Sequence, residues 1–206
     1  AKQVVSEKYF WPVAIWFFFD CGIFFGFGGL WAGPYLMHTY GMSRQAAGAV
    51  LSMLAWGMII GSPLLGLFSE KVVKSRKKTF MLCTSLLVVM LGFLLLFPAN
   101  LPHWALYVWF FLFSIFSSSI VIMAFTTTKE LFPVEIAGTS VGTVNFFPFF
   151  GGAVFQWLIG GVLDIFGKTD AGIYPLKSYS TVLLILLISS ILSLVCTFLM
   201  KETFRR

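Results

Sequence analysis

Long apolar runs alternate along the chain with short polar connections. Each run is long enough for a helix that crosses a bilayer, which takes about 20 residues. The strict apolar and polar alternation that a membrane β-barrel needs is absent from these runs. The pattern therefore predicts an all-α membrane protein with six transmembrane helices. The six runs cover approximately residues 9–38, 45–68, 79–97, 104–128, 136–166 and 179–200.

Composition and charge place the chain in a membrane. Apolar residues make up 59% of it and charged residues only 11%, a balance that excludes a water-soluble protein. The net charge of +6 does not indicate nucleic-acid binding, because the basic residues cluster in the connections between runs. Most of them fall on the side of the membrane that also holds both ends of the chain. The positive-inside rule then predicts a multi-pass protein with both termini cytoplasmic.

No residue pattern indicates enzymatic chemistry. Cys21, Cys83 and Cys196 all lie within apolar runs, and none has a second cysteine or a histidine at metal-ligand spacing. His38 and His103 fall near helix ends without a nucleophile or carboxylate at triad spacing. A phosphate-binding loop is also absent from the sequence. We therefore expect no enzyme, no metal site, no cofactor and no ATP-driven pump.

Asp20 is a lone carboxylate in the middle of the first apolar run. An ionised Asp at the centre of a membrane helix costs about 3 kcal/mol on insertion scales, so the side chain should face protein or a wet cavity, or be protonated. Its helical neighbours Trp16, Phe17, Ile23 and Phe24 favour the neutral form by desolvation. We interpret Asp20 as a group that couples protons or binds substrate. The alternative is a carboxyl group that holds two helices together by a hydrogen bond.

Four further residues are candidates for a substrate cavity. Ser117 belongs to a serine-rich part of the fourth run, although such hydroxyls often hydrogen bond to their own helix. Asn145 and Gln156 lie three helical turns apart on nearly the same side of the fifth run, and amides are costly to leave unpaired in hydrocarbon. Trp56 could stack on a solute, or it could pack against lipid or protein.

A weak internal repeat divides the chain in two. At an offset of 94 residues, the motif Gly66-x-x-x-Glu70 aligns with Gly160-x-x-x-Asp164. The first motif falls at the cytoplasmic side of the predicted membrane and the second at the opposite side. This placement is what two three-helix units of inverted topology require.

Residues 61–78 resemble the signature loop of the major facilitator superfamily, a glycine followed by an acid four residues later, a base and a basic cluster. The acid of that loop is usually Asp and the loop usually carries a glycine, so this chain departs from the pattern at both points. We interpret the loop as a cytoplasmic gate, in which charge-assisted bonds between helix ends hold that side closed. The alternative is a solvated positive-inside loop. The matching residues are Gly66, Glu70, Lys71, Arg76 and Lys77.

A second resemblance covers residues 129–146, which look like the start of the eleventh helix in many bacterial members of this superfamily. Ala137 stands where many relatives carry Arg, so an anion contact by that Arg is not expected here. Residues 29–36 also resemble the end of the seventh helix in that group. The residues that match the eleventh-helix pattern are Phe132, Pro133, Glu135, Gly138, Thr139, Gly142 and Asn145.

Together the resemblances imply that residues 1–206 form one six-helix bundle, the C-terminal half of a twelve-helix transporter of the bacterial inner (plasma) membrane. They also imply an N-terminal six-helix half as partner, with the substrate site between the halves near the midplane. The chain begins at Ala1 without Met, and its first apolar run is too long for a signal-peptide core. We therefore expect a partial chain.

The function that these features favour is secondary active transport of a small polar solute by alternating access, with a proton symporter as one form. The competing hypothesis is a non-transporting membrane receptor or assembly protein on the same helices. A channel fits less well, because the polar residues are sparse and the helices are broken by glycine.

Overall fold

A computed structural model of the chain describes residues 2–204. Within these residues, six helices are long and apolar enough to cross a membrane. We number them in chain order as α1 Phe10–Tyr40, α2 Arg44–Val73, α3 Arg76–Leu96, α4 His103–Glu130, α5 Val134–Phe166 and α6 Leu176–Leu199. The prediction of an all-α membrane protein with six transmembrane helices is confirmed. A short helical turn, Lys2–Val5, precedes α1.

Local sequence signals set the ends of the helices. Ser43 and Ser75 cap the starts of α2 and α3, because each hydroxyl accepts a hydrogen bond from the backbone three residues later. α1 ends at Tyr40 because the next residue, Gly41, has a φ of 64°, which glycine adopts without strain. α2 runs beyond the expected end at 68, because the helix widens into a π-helix over Phe68–Val73 before it stops. Glu70 consequently lies within a helix and not at its end.

α1 and α4 form the centre of the bundle. In their most apolar stretches 67% and 61% of the residues are buried, whereas α2 and α5 reach only 22% and 33%. α1 packs against α5 and α6, while α2 packs against α4 and α3 against α6. The faces of α2 and α5 that this packing leaves uncovered are apolar, and they include Trp56, Ile59, Leu64, Phe146, Phe149 and Trp157.

The contact between α1 and α5 is unusually close, because glycines of each helix lie directly against atoms of the other helix. A Cβ atom on Gly26 would lie 2.7 Å from the Cβ of Phe155, and one on Gly22 would overlap the same ring. In the other direction, a Cβ atom on Gly151 would collide with the backbone carbonyl of Phe18. Small residues at such positions let two membrane helices approach backbone to backbone.

Four of the six helices are irregular. α1 contains a π-helix over Phe24–Trp31, and α2 carries Pro63 inside it. α4 is broken between Ser117 and Val121, and α5 has a one-residue break at Asn145. In a membrane, freed backbone groups are tolerated only where protein or a cavity can satisfy them. The interruptions therefore indicate where a cavity can form.

Candidate functional site

A pocket of about 260 Å³ lies between α1, α2, α4 and α5. Residues at or beside all four irregularities line it: Phe24 and Phe25 from the π-helix, Ser62 beside Pro63, Ser118 in the break of α4, and Asn145 in the break of α5. No residue of α3 or α6 is among its lining residues. The interruptions of four helices thus meet at one place and leave a space between them.

The lining of this pocket is mostly aromatic and apolar. The rings of Phe25 and Phe149 lie nearly parallel, with an interplanar angle of 9° and centroids 6.2 Å apart. Met58, which is 42% exposed, and Phe125 add further apolar surface. The polar groups are Ser62, Ser118 and Asn145. None of the residues that line the pocket is acidic or basic.

Gln156 stabilises the irregular part of α1 beside the pocket. Its side-chain amide donates a hydrogen bond of 3.2 Å to the backbone carbonyl of Phe25, within the π-helix. In return, the Trp31 indole donates a 3.0 Å hydrogen bond to the backbone carbonyl of Gln156. Because a carbonyl released from the helix ladder needs a partner in the membrane, this amide supports the π-helix.

Asp20 and Ser117 meet directly behind the pocket wall. The Ser117 hydroxyl lies 3.3 Å from Oδ2 of Asp20, and both side chains are fully buried. The other carboxyl oxygen, Oδ1, has no hydrogen-bond partner within residues 2–204. The next residues along each helix, Cys21 and Ser118, line the pocket itself. The carboxyl group therefore lies one residue behind the pocket surface, where it bridges α1 and α4.

Two further serines of α4 attach it to α2. Ser114 donates a hydrogen bond of 2.6 Å to the carbonyl of Leu54, and Ser119 donates one of 3.0 Å to the carbonyl of Gly57. The glycines opposite them leave room for this approach, since a Cβ atom on Gly57 would lie 2.6 Å from that of Ser114. In the serine-rich segment, some hydroxyls therefore contact α1 or α2, and Ser118 lines the pocket.

The structure places the five predicted cavity residues in four different settings. Asn145 lines the pocket, Asp20 and Ser117 pair behind its wall, and Gln156 supports the π-helix. Trp56 lies on α2 outside the pocket lining and is 53% exposed. Sequence reasoning did not single out Ser62 and Ser118 as pocket residues. The signals that could have indicated them were the neighbouring Pro63 and the run of serines in the fourth helix.

Arg76 is the centre of a polar network at the end of the bundle that carries Lys2 and Phe204, which we call the basic end. Its side chain is only 8% exposed, and its Nη2 lies 3.3 Å from a carboxylate oxygen of Glu70 and 3.3 Å from one of Glu130. Glu130 also accepts a 2.6 Å hydrogen bond from the Thr203 hydroxyl. The network thereby joins the ends of α2, α3 and α4 to the segment after α6.

The remaining predicted gate residues lie outside these ion pairs. Lys77 donates a 2.7 Å hydrogen bond to the carbonyl of Phe198, in the last turn of α6, where the helix dipole favours a cation. Lys71 is exposed. Gly66 borders open space, since an added Cβ atom would meet nothing within 4 Å.

Glu202 fastens the segment after α6 to the start of α3. Its carboxylate accepts hydrogen bonds from the Ser75 hydroxyl and, at 2.9 Å, from the Arg76 backbone amide. Partial burial acts to raise the pKa of Glu202, but the hydrogen bonds from Ser75 and from backbone amides outweigh it and hold the pKa below its ordinary value. Sequence reasoning missed Glu130, Glu202 and Thr203. Near the ends of apolar runs they look like ordinary interfacial residues.

The opposite end of the bundle carries a smaller polar cluster around His38. Its Nδ1 lies 2.8 Å from the Tyr179 hydroxyl and 3.4 Å from the backbone amide of Tyr174. The Tyr174 hydroxyl donates to Asp164, and this hydrogen bond is the main cause that raises the pKa of Tyr174. His38 is therefore part of a helix-end contact. No group of three or more potential metal ligands occurs among residues 2–204.

Fold and pocket together define a class: a multi-pass membrane protein whose interrupted helices enclose a cavity between them. The family model of the Major Facilitator Superfamily matches residues 11–206. The chain therefore belongs to the major facilitator superfamily, a family of membrane transporters and not of enzymes.

Comparison with solved structures supports the same fold. The chain is similar to a bacterial homologue of the human lysosomal transporter Spinster, whose crystal structure is in an inward-facing and occupied conformation. The TM-score is 0.61 at 14% sequence identity, and the match covers 96% of this chain and 50% of that one. The chain thus spans about half the length of this solved relative. Among curated proteins no match was found.

Proposed function

We propose that this chain supplies half of a secondary active transporter that moves a small polar solute by alternating access, and that the pocket is its part of the solute site. The observation that carries the proposal is the meeting of four helix interruptions at this pocket. Irregular helices suit alternating access for two reasons: they expose backbone and side-chain polar groups to a solute, and they bend more easily than regular helices.

The second half of the transporter is an N-terminal six-helix bundle that covers the apolar faces of α2 and α5. Two observations support it: the chain matches only 50% of the length of its solved relative, and α2 and α5 are its least buried helices. In this arrangement the pocket opens toward the partner half, near the middle of the membrane. The clustered basic residues support a cytoplasmic location for the basic end in a bacterial inner membrane, by the positive-inside rule.

Asp20 couples the transport cycle to protons in this proposal. Among residues 2–204 the buried carboxyl of Asp20 has one hydroxyl partner and no ion pair, so it is stable only as the neutral acid, because an unpaired charge is costly to bury. When the cycle lets water reach the carboxyl, the proton can leave. Because the carboxyl lies behind the pocket wall, Asp20 acts through the position of α1 against α4 and does not touch the solute.

The Arg76 network serves as part of the cytoplasmic gate. Arg76 holds Glu70 and Glu130 together inside this half, and Glu70 remains 55% exposed. That exposed carboxylate is available for the facing helix ends of the partner half when the cytoplasmic side closes. Charge-assisted hydrogen bonds of this kind are strong enough to favour one state and can still break during a cycle.

Blocking the pocket tests whether the protein transports. The complete transporter carrying Met58→Cys is reconstituted in vesicles loaded with an isotopically labelled cell extract, and exchange against unlabelled extract is followed by mass spectrometry. We expect at least one small solute to exchange, and alkylation of Cys at position 58 to stop it. Ser52→Cys lies on the same helix outside the pocket lining, and its alkylation should leave exchange unchanged.

The non-transporting receptor or assembly protein is the second candidate function, and this experiment separates the two. A receptor would hold solute without passing it across a sealed membrane. If no solute exchanges in vesicles of either variant or of wild type, the transport proposal is wrong.

A further inference from the structure

The three polar side chains of the pocket differ from the other polar groups of the same helices. Ser62, Ser118 and Asn145 make no side-chain hydrogen bond within residues 2–204, although the side chain of Ser118 is largely buried. In hydrocarbon such groups are costly to leave unpaired, so water or a ligand must satisfy them.

The neighbouring serines of α4 show the contrast. Ser114 and Ser119 are committed to carbonyls of α2, and Ser117 is committed to Asp20. Each of these hydroxyls uses its single O–H donor in a contact between helices and cannot also donate it to a solute. Ser118, between them, is directed to the pocket with its hydrogen-bonding capacity free. Of the four serines, three therefore hold helices together, and the hydroxyl of Ser118 is the one that remains available to a ligand.

The groups that are available are all uncharged. A serine hydroxyl and an asparagine amide can each donate and accept, so they match alcohols, amides and carbonyls. The carboxyl group of Asp20 is fully buried behind the wall and hydrogen bonds with Ser117. A charged solute group in this pocket would therefore lose its water and gain no counter-ion, which is strongly unfavourable.

The apolar part of the lining is suited to a ring. Phe24, Phe25, Phe125 and Phe149 present aromatic surface, and the near-parallel rings of Phe25 and Phe149 make one side of it flat. Aromatic rings pack preferentially on such faces in offset or edge-on geometry. Because drug-sized ligands occupy pockets of roughly 300–1,000 Å³, a volume near 260 Å³ suits one ring with short substituents.

We propose that this half of the transporter binds an uncharged, ring-bearing part of its solute that carries a hydroxyl or carboxamide group. The inference rests on the proposed function and specifies the solute class. Ser62, Ser118 and Asn145 select the hydrogen-bonding group, while the phenylalanines hold the ring. Any charge on the solute is recognised outside this pocket.

Protection of Met58→Cys against alkylation tests the solute class with four probes: benzamide, benzoate, benzylammonium and acetamide. The first three share a ring and differ in charge, and acetamide keeps the amide without the ring. The complete transporter is labelled with a maleimide in detergent. The three native cysteines of this chain are buried, with at most 8% exposure, and wild type gives the background.

We expect benzamide alone to protect Cys at position 58, in a saturable way and by about tenfold at ten times its Kd. Asn145→Ala should weaken this protection, and Ser52→Cys should not be protected by any probe. Equal or better protection by benzoate or benzylammonium would contradict the uncharged class, and protection by acetamide would contradict the ring. Absence of protection by every probe would also contradict the proposal. If solute exchange in vesicles persists in that case, the transport proposal stands and only the proposed solute class is wrong.

Discussion

The Ser117 hydroxyl lies 3.3 Å from a carboxyl oxygen of Asp20, across 97 residues of chain, and this contact joins the two most buried helices of the bundle. On α1 the contact lies about one helical turn before the π-helix that begins at Phe24, and on α4 it lies at the break that follows Ser117. A change in this contact therefore acts where α1 and α4 are easiest to bend. This position allows a buried carboxyl to influence the pocket without being exposed in it.

Replacing Asp20 by Asn tests the role of its proton. The amide has nearly the same shape as the carboxylic acid and can still hydrogen bond with Ser117, so the melting temperature should change little. The amide does not ionise between pH 5 and pH 8, so solute exchange should lose its dependence on pH. Vesicle exchange measured between pH 5 and pH 8 gives the readout. A variant that keeps the pH dependence of wild type would exclude Asp20 as the coupling group.

The glycine contact between α1 and α5 should be sensitive to a single methyl group. Gly151→Ala places a Cβ atom against the backbone carbonyl of Phe18, and because backbone cannot rotate away, α1 and α5 must separate. We expect a loss of about 1–3 kcal/mol in stability. Gly161→Ala is the matched control on the same helix, since its Cβ atom would meet nothing within 4 Å. Thermal denaturation of the two purified variants should differ clearly, and equal melting temperatures would show that the contact is not close.

Glu130 should contribute more to the stability of the basic end than Glu70 does. Glu130 contacts both Arg76 and Thr203 and has a side chain 27% exposed, whereas that of Glu70 is 55% exposed. Glu130→Gln should cost about 1–2 kcal/mol after allowance for its partial exposure. Glu70→Gln should cost at most about 0.5 kcal/mol, as expected for an exposed pair. The melting temperatures of the two variants provide the measurement, and the reverse order would contradict the assignment of Glu130 to the network.

The segment after α6 should detach only in acid. The pKa of Glu202 is lower in the folded protein than its ordinary value of 4.5, so the charged form is stabilised by folding. Its contribution is therefore complete above pH 4.5 and is lost as the pH falls through the lower folded pKa. A spin label attached through Lys201→Cys should become mobile in that acid range and not between pH 6 and pH 8. Adding Glu202→Gln should make the mobility nearly independent of pH, and detachment of the unmodified segment near neutral pH would overturn the prediction.

The long apolar runs were enough to predict the six helices, because a run of about 20 apolar residues has few alternatives to a membrane helix. The lone charge in the first run and the serine-rich part of the fourth drew attention to Asp20 and Ser117 separately. Their pairing could not be predicted, since it depends on how α1 and α4 are rotated about their axes. Ser62 and Ser118 were not assigned to the cavity for a related reason. The direction of a side chain next to a helix interruption is set by tertiary packing, which a regular helical projection does not describe.

The network at the basic end was predicted only in part. The signature loop identified Glu70 and Arg76, which do pair. The partners that come from elsewhere, Glu130, Glu202 and Thr203, lie 54 to 127 residues from the groups they bind. Lys71 and Lys77 matched the same loop pattern but make no contact with its carboxylates among the described residues. A local motif carries no information about such distant contacts.

Access to the pocket from each side of the membrane tests the central claim most directly. The complete transporter with Met58→Cys is reconstituted in sealed vesicles and treated with a membrane-impermeant maleimide from outside or from within. Lys71→Cys and Asp170→Cys, both exposed and at opposite ends of the bundle, report the orientation and sealing of the vesicles. Alternating access predicts that each of these two controls is labelled from one side only, whereas Cys at position 58 is labelled from either side. Labelling of position 58 from a single side, with both controls behaving as expected, would contradict the account.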